Sequence, residues 1–208
     1  MVRPQTEQQL ENALLKQLGG LGYKSVAITD EKALVANLKT QLEKHNKVTF
    51  SHNEFKKVVN ILNAGTVFER AKTLRGIKHH IVKDDGETLY FEFINQTEWC
   101  KNEFQVTQQV AIEGKYKNRY DVTILINGLP LVQIELKRRG LELKEAFNQT
   151  NRYQRHSYWA GHGLFQYIQI FVISNGVNTK YYANNKRQSF KQTFYWSDEE
   201  NKIITQLE

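Results

Sequence analysis

Cysteine and proline are scarce in this chain. Its 208 residues include one cysteine, Cys100, and two prolines. A single cysteine can form neither an internal disulfide bond nor a zinc site built from several thiolates. The sequence has no apolar run of the roughly 18 residues that a membrane-spanning helix needs, and its first residues lack the apolar core of a secretory signal. We therefore expect a cytoplasmic protein with no membrane partner.

Positive charge is in excess. The chain has 29 Lys and Arg against 22 Asp and Glu, which gives a formal net charge of +7 and a pI of about 9.3. This excess permits a polyanionic partner such as nucleic acid but does not require one. The basic residues are spread along the chain without a basic tail, so a solvated basic surface explains the charge equally well.

The apolar pattern predicts helices first and strands later. Helical spacing is found over residues 6–18 with Thr6 as N-cap, over 31–44, and after a cap at Ser51 or Asn53. Strands are predicted at 89–94, 102–112 and 165–173, and a helix at about 141–159. This order predicts an α/β fold with a mixed β-sheet flanked by helices and a helical insertion near residues 31–80. No linker or repeat interrupts the chain, so we interpret residues 1–208 as a single domain with its core at about 85–185.

The most informative stretch is a predicted hairpin that carries two carboxylates and one ammonium group. Two apolar strands flank an Asn-Gly turn at 127–128; Asp121 opens the first strand, and Glu135 and Lys137 close the second. Glu135 and Lys137 are two residues apart, so they share a face of the strand. A two-residue loop would pair Asp121 with Ile134, whereas a three-residue loop would pair Asp121 with Glu135. We predict the three-residue loop or a bulge of equal effect.

A nuclease has a use for these groups. Two neighbouring carboxylates bind a hard cation well, and Mg²⁺ prefers oxygen ligands. The metal would acidify a water molecule and polarise a phosphoryl oxygen, while Lys137 would orient the water or stabilise the transition state. The alternative is that Glu135 and Lys137 belong to ion pairs on a solvated strand edge. The apolar residues around them favour a place near the core, where an isolated carboxylate is costly.

The predicted helix after the hairpin has an amide, a phenol and a guanidinium group. Gln149 and Tyr153 are four residues apart and therefore lie on one helical face, and Arg152 adds a cation. Basic and aromatic residues together suit a nucleic-acid groove. The alternative is a helix whose aromatic residues pack on the sheet while its arginines are solvated.

These residues carry a family resemblance. The run YDVTILINGLPLVQIELK, from Tyr120 to Lys137, is followed by Gln-x-x-x-Tyr at 149–153. Together they resemble the nuclease region of the R (restriction, motor) subunit of type I restriction–modification enzymes. The resemblance covers roughly residues 1–195 and is most specific over 118–155. It implies a restriction-endonuclease-like core of the PD-(D/E)xK superfamily. One departure is Tyr120, which stands where the family usually has a proline.

The resemblance implies Mg²⁺-dependent cleavage of DNA. Asp121 and Glu135 would be catalytic metal ligands, and Lys137 would be the catalytic lysine. The implied partners are double-stranded DNA, the helicase motor domains of the same subunit, and the methyltransferase and specificity subunits. ATP would act only on the motor, because this chain has no G-x-x-x-x-G-K-[ST] loop. We therefore expect an endonuclease domain without its motor, weak or inactive in isolation.

The resemblance also implies accessory residues. Gln149 and Tyr153 would form a motif that engages DNA, with Arg152 beside them. A carboxylate from the opening helix often joins the metal site in this fold, and Glu11 is preferred to Glu7 because it lies deeper in the amphipathic helix. A non-catalytic nucleic-acid-binding or subunit-docking module with the same fold is the alternative function.

Overall fold

Five α-helices and nine β-strands are present in residues 6–113, 117–153, 163–185 and 188–204, which the computed structural model describes. The helices are α1 Glu7–Gly20, α2 Glu31–Asn46, α3 His52–Asn63, α4 Val67–Leu74 and α5 Leu143–Tyr153. The strands are β1 Lys24–Ser25, β2 His79–Val82, β3 Thr88–Phe91, β4 Phe104–Glu113, β5 Lys117–Ile126, β6 Leu129–Leu136, β7 Ile170–Ser174, β8 Thr179–Ala183 and β9 Phe194–Tyr195.

Seven of these strands form one mixed sheet in the order β1-β4-β5-β6-β7-β8-β9. The pairs β1–β4 and β6–β7 are parallel, and the other neighbours are antiparallel. Parallel neighbours need a long crossover connection, and α5 lies in the one between β6 and β7. The strands β2 and β3 form a separate antiparallel hairpin. This mixed sheet flanked by helices confirms the predicted α/β class and is consistent with a restriction-endonuclease-like fold.

Side-chain caps fix the starts of the first three helices. Thr6 and Ser51 each complete a capping box at the start of α1 and α3. The Asp30 carboxylate accepts a hydrogen bond from the Ala33 N–H at the start of α2. Such caps contribute about 0.5–2 kcal/mol each. The helices α2, α3 and α4 make up the predicted helical segment near residues 31–80, which ends in β2.

Helices pack on the sheet through two separate apolar clusters. In the smaller cluster, Leu14 and Leu18 of α1 meet sheet residues that include Val106, Val122 and Ile134. The larger cluster joins α2 and α5 to the sheet through Leu34, Leu38, Leu42, Ala146, Phe147, Leu125, Phe171 and Ile173. Full burial of one such side chain contributes about 1.5–3 kcal/mol. The centre of the sheet, where β5 and β6 run, is therefore held firmly.

The predicted strand over 165–173 is wrong in its first half. Residues Leu164–Tyr167 form a 3₁₀ helix, and β7 begins only at Ile170. A 3₁₀ turn directs successive side chains about 120° apart, so buried side chains can reach different neighbours. Phe165 packs against the Tyr120 ring, while the Tyr167 hydroxyl donates to the Leu62 carbonyl of α3. These contacts override the local strand preference.

Candidate active site

The β5–β6 hairpin combines a two-residue turn with a bulge. Ile126 pairs with Leu129 and Leu125 with Pro130, but Ile124 pairs with Val132, so Leu131 is the extra residue. Beyond the bulge Val122 pairs with Ile134, and the next position along the ladder sets Asp121 opposite Glu135. The loop has two residues, and the bulge supplies the one-residue shift that the hairpin needed. The predicted juxtaposition through a bulge of equal effect is confirmed.

The Asn127-Gly128 turn is anchored from both sides. Both residues have positive φ, 49° and 81°, as a tight hairpin turn of the primed type requires. The buried Asn127 amide donates to the Phe93 carbonyl at 2.9 Å and accepts from the Glu103 N–H at 2.8 Å. A Cβ added at Gly128 would lie 2.7 Å from Leu38 Cα in α2. Helix α2 thus packs directly on the backbone of this turn.

Asp121 is half-buried and tied to the opposite strand. Its Oδ2 accepts a hydrogen bond from the Leu136 N–H at 2.8 Å, which fixes the direction of the carboxylate. Burial raises the pKa of this carboxyl above its ordinary value, although the Leu136 N–H and the Lys137 charge oppose the shift. The site therefore holds a carboxylate in a place that disfavours its charge.

Glu135 is fully buried, with 0% of its surface exposed. Its Oε1 accepts from Lys137 Nζ at 3.2 Å, whereas Oε2 is buried without a hydrogen-bond donor among the described residues. Burial, followed by repulsion from Asp121, raises the pKa of Glu135 well above its ordinary value. A buried carboxylate oxygen without a donor is costly, and a bound cation would remove that cost.

Lys137 is buried at the end of β6 and faces the carboxylates. Besides Glu135, its ammonium group donates to the Leu136 carbonyl at 3.1 Å and lies 4.0 Å from Glu7 Oε2. Its backbone N–H donates to the Ser174 carbonyl at the end of β7, at 2.8 Å. The ammonium group is therefore held by β6 and α1, while β7 fixes the backbone of Lys137.

Helix α1 brings two glutamates to the same region. Glu7 Oε1 accepts from the Arg138 N–H at 3.3 Å, and its charge acts on both Asp121 and Glu135. The buried Glu11 accepts from the Gln109 side chain, and burial raises its pKa, with a smaller contribution from Asp121. Glu7 contacts the lysine directly and Glu11 does not. The preference for Glu11 as a metal ligand stays a prediction.

The donor set fits magnesium in number and kind. Among the described residues, no three or more His, Cys, Asp and Glu side chains are grouped as a metal site. Asp121 and Glu135 offer carboxylate oxygens on neighbouring strands. Mg²⁺ commonly uses one or two carboxylates and completes its shell with water and substrate phosphate. The paired carboxylates and the unpartnered Glu135 oxygen therefore suit this ion.

The chain matches the family described as the N terminus of the type I restriction enzyme R protein, over residues 4–190. It belongs to this family. It is 47% identical, over 98% of its length, to a type I restriction enzyme endonuclease subunit of Staphylococcus aureus (strain COL), of which the alignment covers 22%. A second such subunit, from Escherichia coli, is 39% identical over 98% of this chain and 67% of its own length. The chain thus spans about a fifth of the first relative.

The predicted accessory residues fall on α5, which packs against β6 and β7. Gln149 is half-buried on this helix and Arg152 is exposed. The Tyr153 side chain lies outside the described residues, so the predicted Gln-x-x-x-Tyr face stays a prediction. No helix in the described part of the chain is long and apolar enough to cross a membrane.

Sequence analysis missed two residues of this R-protein domain that lie near the carboxylates. The buried Thr150 of α5 hydrogen-bonds the Tyr182 hydroxyl of β8 and donates to the Phe147 carbonyl at 2.8 Å. Burial raises the pKa of Tyr182, and the Glu135 charge adds to the shift, so the phenol interacts electrostatically with the candidate site. Only the position of Tyr182 in an alternating strand could have signalled an inward side chain.

Proposed function

We propose that this chain is the Mg²⁺-dependent DNA endonuclease domain of a type I restriction enzyme R subunit. One observation carries the proposal: two carboxylates, the fully buried Glu135 and Asp121 opposite it, converge beside the single ammonium group of Lys137. Two buried carboxylates with one cation leave negative charge uncompensated, and a bound divalent ion would neutralise it. The names of the relatives, which are endonuclease subunits, support the same chemistry.

The residues divide the work of phosphodiester hydrolysis. Asp121 and Glu135 would hold Mg²⁺, which would polarise a phosphoryl oxygen and lower the pKa of a bound water. The Leu136 N–H fixes the direction of the Asp121 carboxylate. Lys137 stands at the end of the same strand, where its ammonium can orient the attacking water or stabilise the charge that develops on the phosphate.

The rest of the enzyme would supply substrate and control. Cleavage would follow ATP-driven translocation by helicase motor domains elsewhere in the subunit, with ATP bound there and not here. Double-stranded DNA and the methyltransferase and specificity subunits are the proposed partners, in the cytoplasm. Gln149, Arg152 and Tyr153 would contact DNA from α5, and Glu11 or Glu7 would approach the metal from α1.

Calorimetric titration with Mn²⁺ tests the metal site directly. The wild-type chain should bind the ion at one site, and Asp121→Asn and Glu135→Gln should abolish the heat of binding. Asp30→Asn is the matched control, because it removes a carboxylate from a helix cap far along the chain from the hairpin. Wild-type Mn²⁺ binding that survives Asp121→Asn would contradict the assignment of the ligands.

The 3.2 Å contact between Lys137 and Glu135 also favours a second candidate, a non-catalytic DNA-binding or docking module. Such a module would keep the pair for stability alone. In the reconstituted restriction enzyme, this candidate predicts that Asp121→Asn leaves ATP-dependent DNA cleavage intact. The endonuclease proposal predicts that cleavage is lost while ATP hydrolysis continues.

A further inference from the structure

A cationic cleft lies beside the candidate metal site. It has a volume of about 560 Å³ and is bordered by the loop after β6, the start of α5 and the turn between β7 and β8. The Asn175 side chain of that turn donates to the Leu141 carbonyl at 2.8 Å and so joins two of its walls. Three cations, Arg139, Lys144 and Lys180, line the cleft against one carboxylate, Glu142.

The positive charge of the cleft is not neutralised by ion pairs. In residues 6–113, 117–153, 163–185 and 188–204, none of the three cations has a carboxylate oxygen within 4.0 Å. Elsewhere lysines are paired, as Lys44 is with Glu103 at 2.8 Å. A concave surface with excess charge of one sign focuses its field and attracts an anion.

Lys180 is held in place before any ligand arrives. Its ammonium lies 4.1 Å from the centre of the Tyr195 ring and 4.8 Å from that of Phe190. It also donates to the Thr193 hydroxyl at 3.1 Å. Aromatic faces attract a cation without neutralising it, so the charge remains available. A fixed side chain loses little conformational entropy on binding.

Strand register relates this lysine to the candidate metal ligands. Glu135 pairs with Ile173 of β7, and Ile173 pairs with Lys180 of β8. Paired residues point to the same face of a sheet, and neighbouring strands are about 4.8 Å apart. Lys180 therefore shares a face with Glu135, with the two Cα atoms roughly 10 Å apart. Arg139 follows Lys137 by two residues, so its Cα lies within about 7 Å of that lysine.

We propose that this cleft binds a backbone phosphate of the DNA strand, about one or two nucleotides from the bond that is cut. Successive phosphates wind around the helix axis, so their separation in space exceeds the axial rise of about 3.4 Å per nucleotide, and roughly 10 Å spans fewer than three steps. The cleft would fix the position of the strand, while Asp121 and Glu135 act on the scissile phosphate. This inference rests on the proposed nuclease function and adds a substrate contact to it.

The salt dependence of DNA binding measures such a contact. Fluorescence anisotropy with a short labelled duplex, with Ca²⁺ in place of Mg²⁺, gives Kd for the chain at several salt concentrations. Each phosphate contact contributes about 0.9 to the slope of log Kd against log salt concentration, or roughly an eightfold change in Kd at 0.1 M salt. Arg139→Gln, Lys144→Gln and Lys180→Gln should each lower the slope, and the triple variant should lower it by about the amount expected for one phosphate.

The control variants separate the cleft from general charge. Lys56→Gln removes the same charge from an exposed position on α3 and should leave the slope almost unchanged. Lys180→Arg keeps the positive charge in the cleft and should retain the wild-type slope. Arg139 and Lys144 are exposed, so their variants should keep the wild-type melting temperature.

Two results would overturn the inference. One is a slope for the Arg139 and Lys144 variants equal to that of Lys56→Gln; the other is the absence of salt-dependent DNA binding by the wild-type chain. Failure here is distinct from failure of the nuclease proposal, because Mn²⁺ titration of the same variants reports the metal site alone. If Lys144→Gln binds Mn²⁺ as the wild-type chain does and its salt slope for DNA is also unchanged, the phosphate site in the cleft is rejected. The proposed metal site is then unaffected.

Discussion

Replacing Asp121 with asparagine should stabilise the metal-free protein, although it removes a candidate catalytic group. The asparagine oxygen can still accept the Leu136 N–H, which lies 2.8 Å from Asp121 Oδ2. The bond between Glu135 and Lys137 is untouched. The substitution therefore removes chiefly the repulsion between two carboxylates on neighbouring strands.

The size of the effect follows from the register. Side chains directly opposite each other on antiparallel strands have Cβ atoms about 5 Å apart. Two unit charges at that distance repel by about 3 kcal/mol at an effective dielectric constant of about 20. The Lys137 ammonium offsets part of this repulsion in the native protein. We therefore expect Asp121→Asn to raise the free energy of unfolding by about 1–2 kcal/mol near pH 7.5.

The stability that Asp121→Asn adds should increase as pH rises. The ordinary pKa values are 3.8 for Asp121 and 4.5 for Glu135, and both are raised in the folded protein. The native state therefore binds more protons than the unfolded state between the ordinary and the raised pKa values, so wild-type stability falls as pH rises through this window. Below the ordinary values both carboxyls are protonated in either state, and the advantage of Asp121→Asn should vanish.

Urea unfolding in the presence of EDTA provides the measurement. The control Asp30→Asn should lie within about 0.5 kcal/mol of wild type, because asparagine is an equally good helix cap. The m-value should not change, since the surface exposed on unfolding is the same. The reasoning is refuted if Asp121→Asn is less stable than wild type at pH 7.5, or if its advantage is as large at pH 4 as at pH 7.5.

Metal should reverse the order of stability. An ion that binds only the folded protein stabilises it by about 2.7 kcal/mol at a hundred times its Kd. With saturating Mn²⁺, wild type should therefore become more stable than Asp121→Asn, which cannot bind it. An equal shift of both proteins with Mn²⁺ would place the ion elsewhere.

The remaining predictions concern single side chains. Lys137→Ala should bind Mn²⁺ but reduce DNA cleavage by the reconstituted enzyme about 100–1000-fold, as loss of a group that stabilises transition-state charge does. Gly128→Ala should cost at least about 2 kcal/mol in urea unfolding, because its Cβ would clash with α2 and its φ is positive. Gly86→Ala, which also has positive φ but open space, should cost only about 1 kcal/mol. Tyr182→Phe should cost about 1–2 kcal/mol, since it leaves the buried Thr150 hydroxyl without its phenol partner.

Local signals allowed the helix starts and the hairpin to be predicted. Thr6 and Ser51 cap α1 and α3 by bonds to residues three positions away, which sequence can express. The Asn-Gly turn is equally local, and its two residues adopt the expected positive φ values. A one-residue shift in register was predicted because Asp121 had to lie opposite Glu135. The position of the extra residue, Leu131, was not predicted.

Contacts between distant segments could not be predicted. Residues Leu164–Tyr167 have a strand-like composition, yet Gln166 bonds the Arg70 side chain of α4 and Tyr167 bonds α3. Likewise, Thr150 meets Tyr182 only because α5 packs on the sheet, where Phe147 also contacts the Tyr182 ring. The local apolar periodicity of the sequence does not indicate either contact, because each depends on where two elements meet in space.

The contact between helix α2 and the Asn127-Gly128 turn indicates a role for the helical segment near residues 31–80. Because Gly128 packs on Leu38 Cα, helix α2 fixes the place of the hairpin end. A slip of one residue along β6 would place Ile134 or Leu136 opposite Asp121 instead of Glu135, and would separate the two carboxylates. The segment that sequence analysis described as an insertion therefore supports the register on which the carboxylate pair depends. The pair is unfavourable without a cation, so it requires a hairpin held from outside the site.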